Sequence, residues 1–163
     1  MNIIKILIVG IGATFAMDIW SYILNLFGIT SLDYKFVGRW IGNIPKGRFF
    51  HNKIMDTSPI PNEQLLGWVL HYLIGIAFTF LLFMIYGKNW FEKPVIMPAI
   101  LIGIVTVIAP FFIMQPAFGF GVASSKLPYP NIIRFKSFMA HLIYGLGLYG
   151  TAVLFDIIEK VFK

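Results

Sequence analysis

The chain of 163 residues is mostly apolar, since 58% of its residues are hydrophobic and only 12% are charged. A soluble domain usually carries about a quarter charged residues, so this composition excludes an ordinary water-soluble fold and favours lipid as the solvent. The net charge of +6 suits contact with the lipid bilayer and its anionic lipid headgroups. Nucleic acid is not an expected partner, because no aromatic-studded basic domain lies outside the apolar stretches. Without cysteine, the chain has neither disulfides nor thiolate metal ligands.

Four apolar stretches are long enough to cross a hydrocarbon core of about 30 Å, which takes roughly 20 helical residues. They cover residues 4–27, 65–86, 94–114 and 137–158. None of them shows the alternation of a strand, and a bilayer admits only helices or closed barrels. We therefore predict an all-α polytopic membrane protein, a four-transmembrane-helix bundle that forms a single membrane domain over residues 1–163.

A long polar loop, residues 28–64, follows the first span. Loops of this length without structure of their own are uncommon and often functional. The central stretch FVGRWIGNI predicts a short interfacial helix, because Trp and Arg favour the headgroup zone.

The stretch GRWIGNIPKGRFFH within this loop gathers ionisable side chains around a turn: Arg39, Lys46, Arg48 and His51. Two arginines in so short a segment are typical of a site that binds a phosphate or carboxylate through paired hydrogen bonds. The same cations would equally serve as an ordinary anchor among lipid headgroups.

The second and fourth spans share a motif in which a histidine precedes a glycine by four residues. It occurs in HYLIGIAFTFLLF from His71 and in HLIYGLGLYGTAVLF from His141. More weakly, GIGATFAMDIW in the first span parallels IGIVTVIAPFF in the third. We interpret these likenesses as a tandem two-helix repeat. Small residues in the first and last spans indicate close helix contacts, either within the bundle or between two copies in a homodimer.

Three ionisable side chains fall inside the predicted spans: Asp18, His71 and His141. At about 1.5 Å per helical residue, each lies within roughly 13 Å of the membrane face that carries the long loop. Gln115 ends the third span at that face, and His51 belongs to the loop. Because an ionised aspartate is costly in lipid, we expect Asp18 to face the bundle and to find a partner there.

One interpretation of these residues is an intramembrane site for ligand binding or transport. His71 and His141 would be the axial ligands of haem b, or would bind a divalent metal such as zinc or iron together with Asp18. Alternatively, the aspartate and the histidines would relay protons for a transporter. The full ligand-binding set in this interpretation is Asp18, Arg39, Arg48, His51 and Gln115.

The other interpretation is a structural or accessory membrane subunit without a ligand, in which the polar side chains only fasten helices together. Catalysis is not favoured, because the sequence shows no spacing typical of a nucleophile with its base and acid. Whether the protein is an enzyme stays open at this point.

Five stretches spread over almost the whole chain carry a family likeness: GIGATFAMDIW, SLDYKFVGRWIGNIPKGRFFH, LGWVLHYLIGIAF, PFFIMQPAFGFGVASS and HLIYGLGLY. In these stretches and in their order, the chain resembles a family of small bacterial inner-membrane proteins that is known as a domain of unknown function. The resemblance implies a multi-pass protein with four spans in the bacterial inner (cytoplasmic) membrane. It brings no activity, ligand or catalytic residue.

Overall fold

A computed structural model describes residues 3–162, which contain helices and turns but no strand. The α-helices are α1 (Ile3–Leu26), α2 (Lys35–Asn43), α3 (Glu63–Glu92), α4 (Ile96–Thr106), α5 (Gln115–Ala117) and α6 (Pro130–Val161). A π-helix over Pro110–Met114 leads into α5. Single 3-10 turns occupy Ile44–Lys46, Ile54–Asp56 and Val122–Ser124. The short helix predicted around FVGRWIGNI is confirmed as α2.

Four helical stretches are long and apolar enough to cross a membrane: Ile3–Leu26, Glu63–Glu92, Ile96–Ala117 and Pro130–Val161. Only 17% to 33% of the apolar window in each stretch is buried within the protein, which leaves apolar side chains accessible for contact with lipid. These helices confirm the prediction of an all-α, four-helix membrane protein.

The second and fourth stretches show the largest differences from their predicted bounds. The first helical part of α3 is interrupted at Gly87, whose φ of 69° and ψ of −172° suit glycine, next to the predicted end at residue 86, and a further helical segment follows to Glu92. α6 begins at Pro130 rather than at residue 137. A proline fits the first position of a helix because its missing N–H would have no partner there.

The described residues form two compact units. The helix unit contains residues 3–31, 72–106 and 139–162, and the loop unit contains residues 32–71 and 107–138. The chain passes from the loop unit to the helix unit within α3, directly after His71. Each unit has its own cluster of buried apolar side chains.

The helix unit packs through glycines. A Cβ on Gly10 of α1 would lie 2.9 Å from the Cα of Ile76 in α3, and one on Gly103 of α4 would lie 2.5 Å from the carbonyl oxygen of His141 in α6. α1 therefore lies directly against α3, and α4 against α6. α1 also lies against α6, because a Cβ on Gly147 would lie 2.9 Å from the Cα of Ala13. The tandem repeat stays a prediction. Buried residues of all four helices form the core: Ile6, Val9, Ala13, Leu82, Trp90, Phe91, Ala99, Ile102, Tyr144, Leu148 and Ala152.

The loop unit is held by α2 and by backbone hydrogen bonds between residues 51–54 and the end of α5. Val37 and Trp40 of α2 pack with Ile54 and Phe118 in its core. The backbone N–H of His51 donates to the carbonyl of Ala117 at 2.8 Å, and that of Ile54 donates to the carbonyl of Phe118 at 3.0 Å. The loop after α1 is therefore an ordered structure with its own backbone pairing, and this order fixes the positions of its charged side chains.

Candidate functional site

Asp18 lies in the helix unit, where its partner is a tyrosine. The hydroxyl of Tyr72 in α3 donates to the carboxylate of Asp18 at 2.7 Å. This hydrogen bond joins α1 to α3. The expected partner of Asp18 on another helix is therefore the phenol of Tyr72.

His141, also in the helix unit, shares a hydrogen bond of 2.9 Å between its Nδ1 and the hydroxyl of Thr106. The same hydroxyl lies 2.7 Å from the carbonyl oxygen of Gly103, to which it donates its one proton. The Nδ1 of His141 must therefore donate to Thr106, which assigns the proton of a neutral ring to Nδ1. The arrangement joins α6 to α4.

His71 belongs to the loop unit and contacts aromatic side chains. Its Nε2 shares a hydrogen bond of 3.0 Å with the hydroxyl of Tyr34, and the two rings stack with centroids 4.1 Å apart. Trp68 presents its edge to the same imidazole at 6.0 Å. Each of the two span histidines therefore has a hydroxyl partner of its own.

The haem and metal hypotheses gain no support from these contacts. Within residues 3–162, no three His, Asp or Glu side chains are grouped closely enough to hold a metal ion. The room that a macrocycle requires beside the two motif glycines is filled. A Cβ on Gly75 would lie 1.9 Å from the hydroxyl of Thr14, and one on Gly145 would lie 2.7 Å from the carbonyl of Ala99.

Arg39 is buried at the centre of the loop unit and is only 5% exposed. Its Nε and Nη2 donate to the two carboxylate oxygens of Glu63 at 2.8 and 2.7 Å. Its Nη1 donates to the carbonyls of Ile54, Met55 and Thr57 at 3.2, 3.3 and 2.8 Å. The hydrogen bond to Glu63 raises the pKa of Arg39 above its ordinary value. This guanidinium therefore ties α2 to the start of α3 and fixes the 54–57 segment.

Arg48, by contrast, is exposed and lines an open cleft of about 310 Å³, the first cleft. The lining side chains are Asn43, Lys46, Arg48, Thr57, Ser58, Pro59 and Ile60. None of these described residues is acidic, and two of them are cations. The amide of Asn43 is used within α2, where it donates to the carbonyl of Arg39 at 2.7 Å. A cleft with two cations and hydroxyl groups is suited to an anion.

His51 lines a second cleft, of about 440 Å³, with Phe50, Asn52, Lys53, Asp56 and Thr57. Its Nδ1 shares a hydrogen bond of 2.9 Å with the hydroxyl of Thr57, and its buried Nε2 has no partner among the described residues. Burial, and to a smaller extent the charge of Arg48, lowers the pKa of His51 below its ordinary value. The two clefts share Thr57 as a common wall.

Gln115 is buried in the loop unit at 4% exposure. Its Nε2 donates to the hydroxyl of Ser137 at 3.4 Å, and its Oε1 has no hydrogen-bond partner among the described residues. The residue follows directly on the π-helix Pro110–Met114, and such helices are frequent near functional sites. The prediction that Gln115 binds a ligand stays a prediction.

Sequence reasoning did not identify several polar contacts. Lys5 is buried and bonds both the carboxylate of Asp156 and the carbonyl of Phe91. The hydroxyl of Tyr144, which is also buried, donates to the carbonyl of Gly75 at 2.6 Å. The signal for the first contact was in the sequence: a cation within an apolar stretch needs a partner, and Asp156 is the acid within the last span. No comparable signal marks the tyrosine.

Comparison with known protein families gives a match over most of the chain. The model of a family described as a protein of unknown function (DUF2938) matches residues 7–155 of the chain. No curated protein and no solved structure matches the chain.

Proposed function

The chain belongs to the DUF2938 family, whose description assigns no activity. We propose that this multi-pass membrane protein binds an anionic phosphate or carboxylate group in the first cleft. The bacterial inner membrane is the proposed location, as the sequence resemblance implies. The binding residues in this proposal are Lys46 and Arg48, with Ser58 and Thr57 as neutral hydrogen-bonding groups.

The lining of the first cleft is the observation that supports the proposal. Lys46 and Arg48 are both exposed, so neither charge is consumed by a buried ion pair of the kind that Arg39 makes. Arginine offers a planar pair of N–H donors that matches two oxygens of a phosphate or carboxylate, and lysine adds a second positive charge. A volume of about 310 Å³ is at the lower end of small-molecule sites.

Arg39 acts in this proposal as a positioning residue. Its hydrogen bonds to the carbonyls of Ile54, Met55 and Thr57 fix the segment that forms one wall of the cleft. Its own guanidinium faces Glu63 inside the loop unit and is nearly saturated with acceptors. Of the two arginines in the loop motif, we therefore assign ligand binding to Arg48 alone.

The intramembrane polar residues act as fasteners in this proposal. Asp18 bonds Tyr72, and His141 bonds Thr106, each across a pair of helices. Interhelical hydrogen bonds of this kind usually stabilise a membrane protein by about 0.6 kcal/mol each. The proposal therefore combines the basic loop site with the structural interpretation of the span residues, and it needs neither haem nor metal.

The test is a binding measurement on the purified full chain in detergent micelles, with a short-chain phosphatidic acid and inorganic phosphate as probes. Lys46→Gln/Arg48→Gln removes two positive charges from the first cleft. We expect it to weaken binding of the anionic lipid at least tenfold, because a hydrogen bond to a charged group contributes about 1.5–3 kcal/mol. Binding of the lipid but not of free phosphate would identify a headgroup as the ligand.

The matched control is Lys88→Gln/Lys93→Gln. It removes the same two units of charge from exposed lysines of the helix unit, so both variants have the same net charge. We expect the control to bind the anionic lipid like the unaltered protein. Equal weakening by the two double variants would reduce the effect to general electrostatics and would overturn the proposed site.

A further inference from the structure

The second cleft differs from the first in its chemistry, and the two adjoin. Thr57 lines both clefts, so they adjoin at that residue. The first cleft presents the cations Lys46 and Arg48, whereas the second contains Asp56, the one carboxylate that lines either cleft in the described chain. The charged lining of the first cleft is therefore wholly positive, and that of the second holds one charge of each sign, Lys53 and Asp56.

We propose that the two clefts together bind a zwitterionic aminophospholipid headgroup, with its phosphate beside Lys46 and Arg48 and its primary ammonium beside Asp56 and Phe50. This inference rests on the proposed function and names the ligand class of that same site. In an ethanolamine phospholipid only two carbons separate the phosphate from the amine. Both groups can therefore be recognised at once only where the two clefts adjoin, as they do at Thr57.

Phe50 supplies the second attraction for an ammonium group. Its ring is 72% exposed and lies edge-on to Phe49, with centroids 5.0 Å apart. A cation is attracted to the negative face of an aromatic ring, also at an exposed site. Exposed aromatic side chains among cations also suit the headgroup zone of a membrane, which favours a lipid over a soluble ligand.

The other charged groups of the second cleft are compatible with this ligand. His51 has its pKa lowered by burial, so its ring is neutral near pH 7 and adds no charge that would repel an ammonium. Lys53 does carry a positive charge there and opposes the amine while attracting the phosphate. We therefore expect Lys53→Gln to increase the preference for an ethanolamine lipid over a glycerol lipid.

The test compares three short-chain lipids that share a phosphate, with ethanolamine, choline or glycerol as the headgroup alcohol, on the full chain in micelles. We expect the ethanolamine lipid to bind most tightly. Choline has no N–H to donate to Asp56, and glycerol has no positive charge. Asp56→Asn should weaken binding of the ethanolamine lipid by about tenfold, the equivalent of one charge-assisted hydrogen bond, and should not weaken binding of the glycerol lipid.

Asp33→Asn is the matched control, since Asp33 is a partly exposed acid of the loop unit that lines neither cleft and pairs with Lys35. It should leave the preference intact. If the unaltered protein binds the ethanolamine and glycerol lipids equally, and Lys46→Gln/Arg48→Gln weakens both, this inference is overturned while the proposed function stands. Equal affinity for water-soluble glycerophosphoethanolamine would overturn the lipid as the source. If no phosphate-bearing lipid binds, the proposed function fails as well.

Discussion

The two units differ in how many of their polar side chains remain available beside a cleft. In the helix unit, Lys5, Asp18 and His141 each bond another group of the protein. In the loop unit, Arg39 is bonded in the same manner, but Lys46 and Arg48 remain exposed at the edge of a cleft. The comparison teaches that a polar residue inside an apolar span is a weak indicator of a ligand site when a hydroxyl or carbonyl of a neighbouring helix can satisfy it.

The largest effect on stability is expected from Arg39, the loop-unit residue whose polar groups are bonded within the protein, like those of the helix unit. Arg39→Met leaves the carboxylate of Glu63 without its partner. Breaking a fully buried pair typically costs about 3–5 kcal/mol, and because the Glu63 side chain is still 14% exposed, the expected cost is at the lower end of that range. We expect a loss of that size in the free energy of unfolding, measured by denaturant titration in mixed micelles with tryptophan fluorescence.

Two companion variants make the Arg39 measurement specific. Arg39→Met/Glu63→Met removes both charges and should recover much of the loss, because no unpaired charge is then buried. Arg48→Met, at the exposed arginine, should change stability by less than about 0.5 kcal/mol. A loss of several kcal/mol in Arg48→Met would contradict the division between a buried and an exposed arginine.

The close contact of α4 with α6 gives the next largest effect. A methyl group on Gly103 would lie 2.5 Å from the carbonyl oxygen of His141, so Gly103→Ala forces these helices apart, at a cost of about 1–3 kcal/mol. Gly150 is the matched control, because a Cβ there meets nothing within 4 Å. Gly150→Ala should leave stability unchanged or raise it by up to about 1 kcal/mol through the better helix propensity of alanine. Similar losses in both variants would contradict the contact.

A smaller effect is expected from the hydrogen bond between His141 and Thr106. Thr106→Val keeps the shape of the side chain but removes its hydroxyl. In a double-mutant cycle with His141→Phe, we expect a coupling free energy of about 0.6 kcal/mol, the typical value for such bonds in a membrane protein. Loss of lipid binding in Thr106→Val at unchanged stability would argue for a ligand role of His141 instead.

The smallest effect concerns the pH dependence of the loop unit. The pKa of His51 is lowered from its ordinary value of 6.5, so in the window just below pH 6.5 the unfolded chain binds a proton more readily than the folded one. The stability contributed by neutral His51 is therefore fully present above pH 6.5 and is lost as the pH falls toward the folded pKa. His51→Gln should show a flatter dependence between pH 7 and pH 5 in the same unfolding assay. An equally steep dependence would assign the titration to another group.

The sequence was sufficient to predict the four spans and the helix at FVGRWIGNI, because length and hydrophobicity decide both. The sequence also identified the two motif glycines, Gly75 and Gly145, but not which groups pack against them. Thr14 and the carbonyl of Ala99 are those groups, and their placement depends on how each helix is rotated about its axis. Hydropathy carries no information about such rotation.

The candidate site was predictable only in part. The loop motif pointed to Arg39 and Arg48 together, because both precede or follow a turn within ten residues. Their separation into one buried and one exposed arginine depends on Glu63, a residue 24 positions away from Arg39 whose carboxylate takes up the guanidinium. Pairings at that distance follow from the tertiary fold, so residue type and spacing along the chain do not reveal them.

Lys5 bears on the order in which the protein is made. Its carboxylate partner, Asp156, follows 151 positions later, and the carbonyl of Phe91 also comes long after it. A ribosome therefore delivers the lysine to the membrane well before either acceptor has been synthesised. Until the last helix is inserted, the flexible side chain of Lys5 has to extend its ammonium group to the membrane–water interface. Closure between the first and last helices is then a late event in biogenesis, and a chain interrupted before α6 would keep the carbonyl acceptor of Lys5 but lack its carboxylate partner.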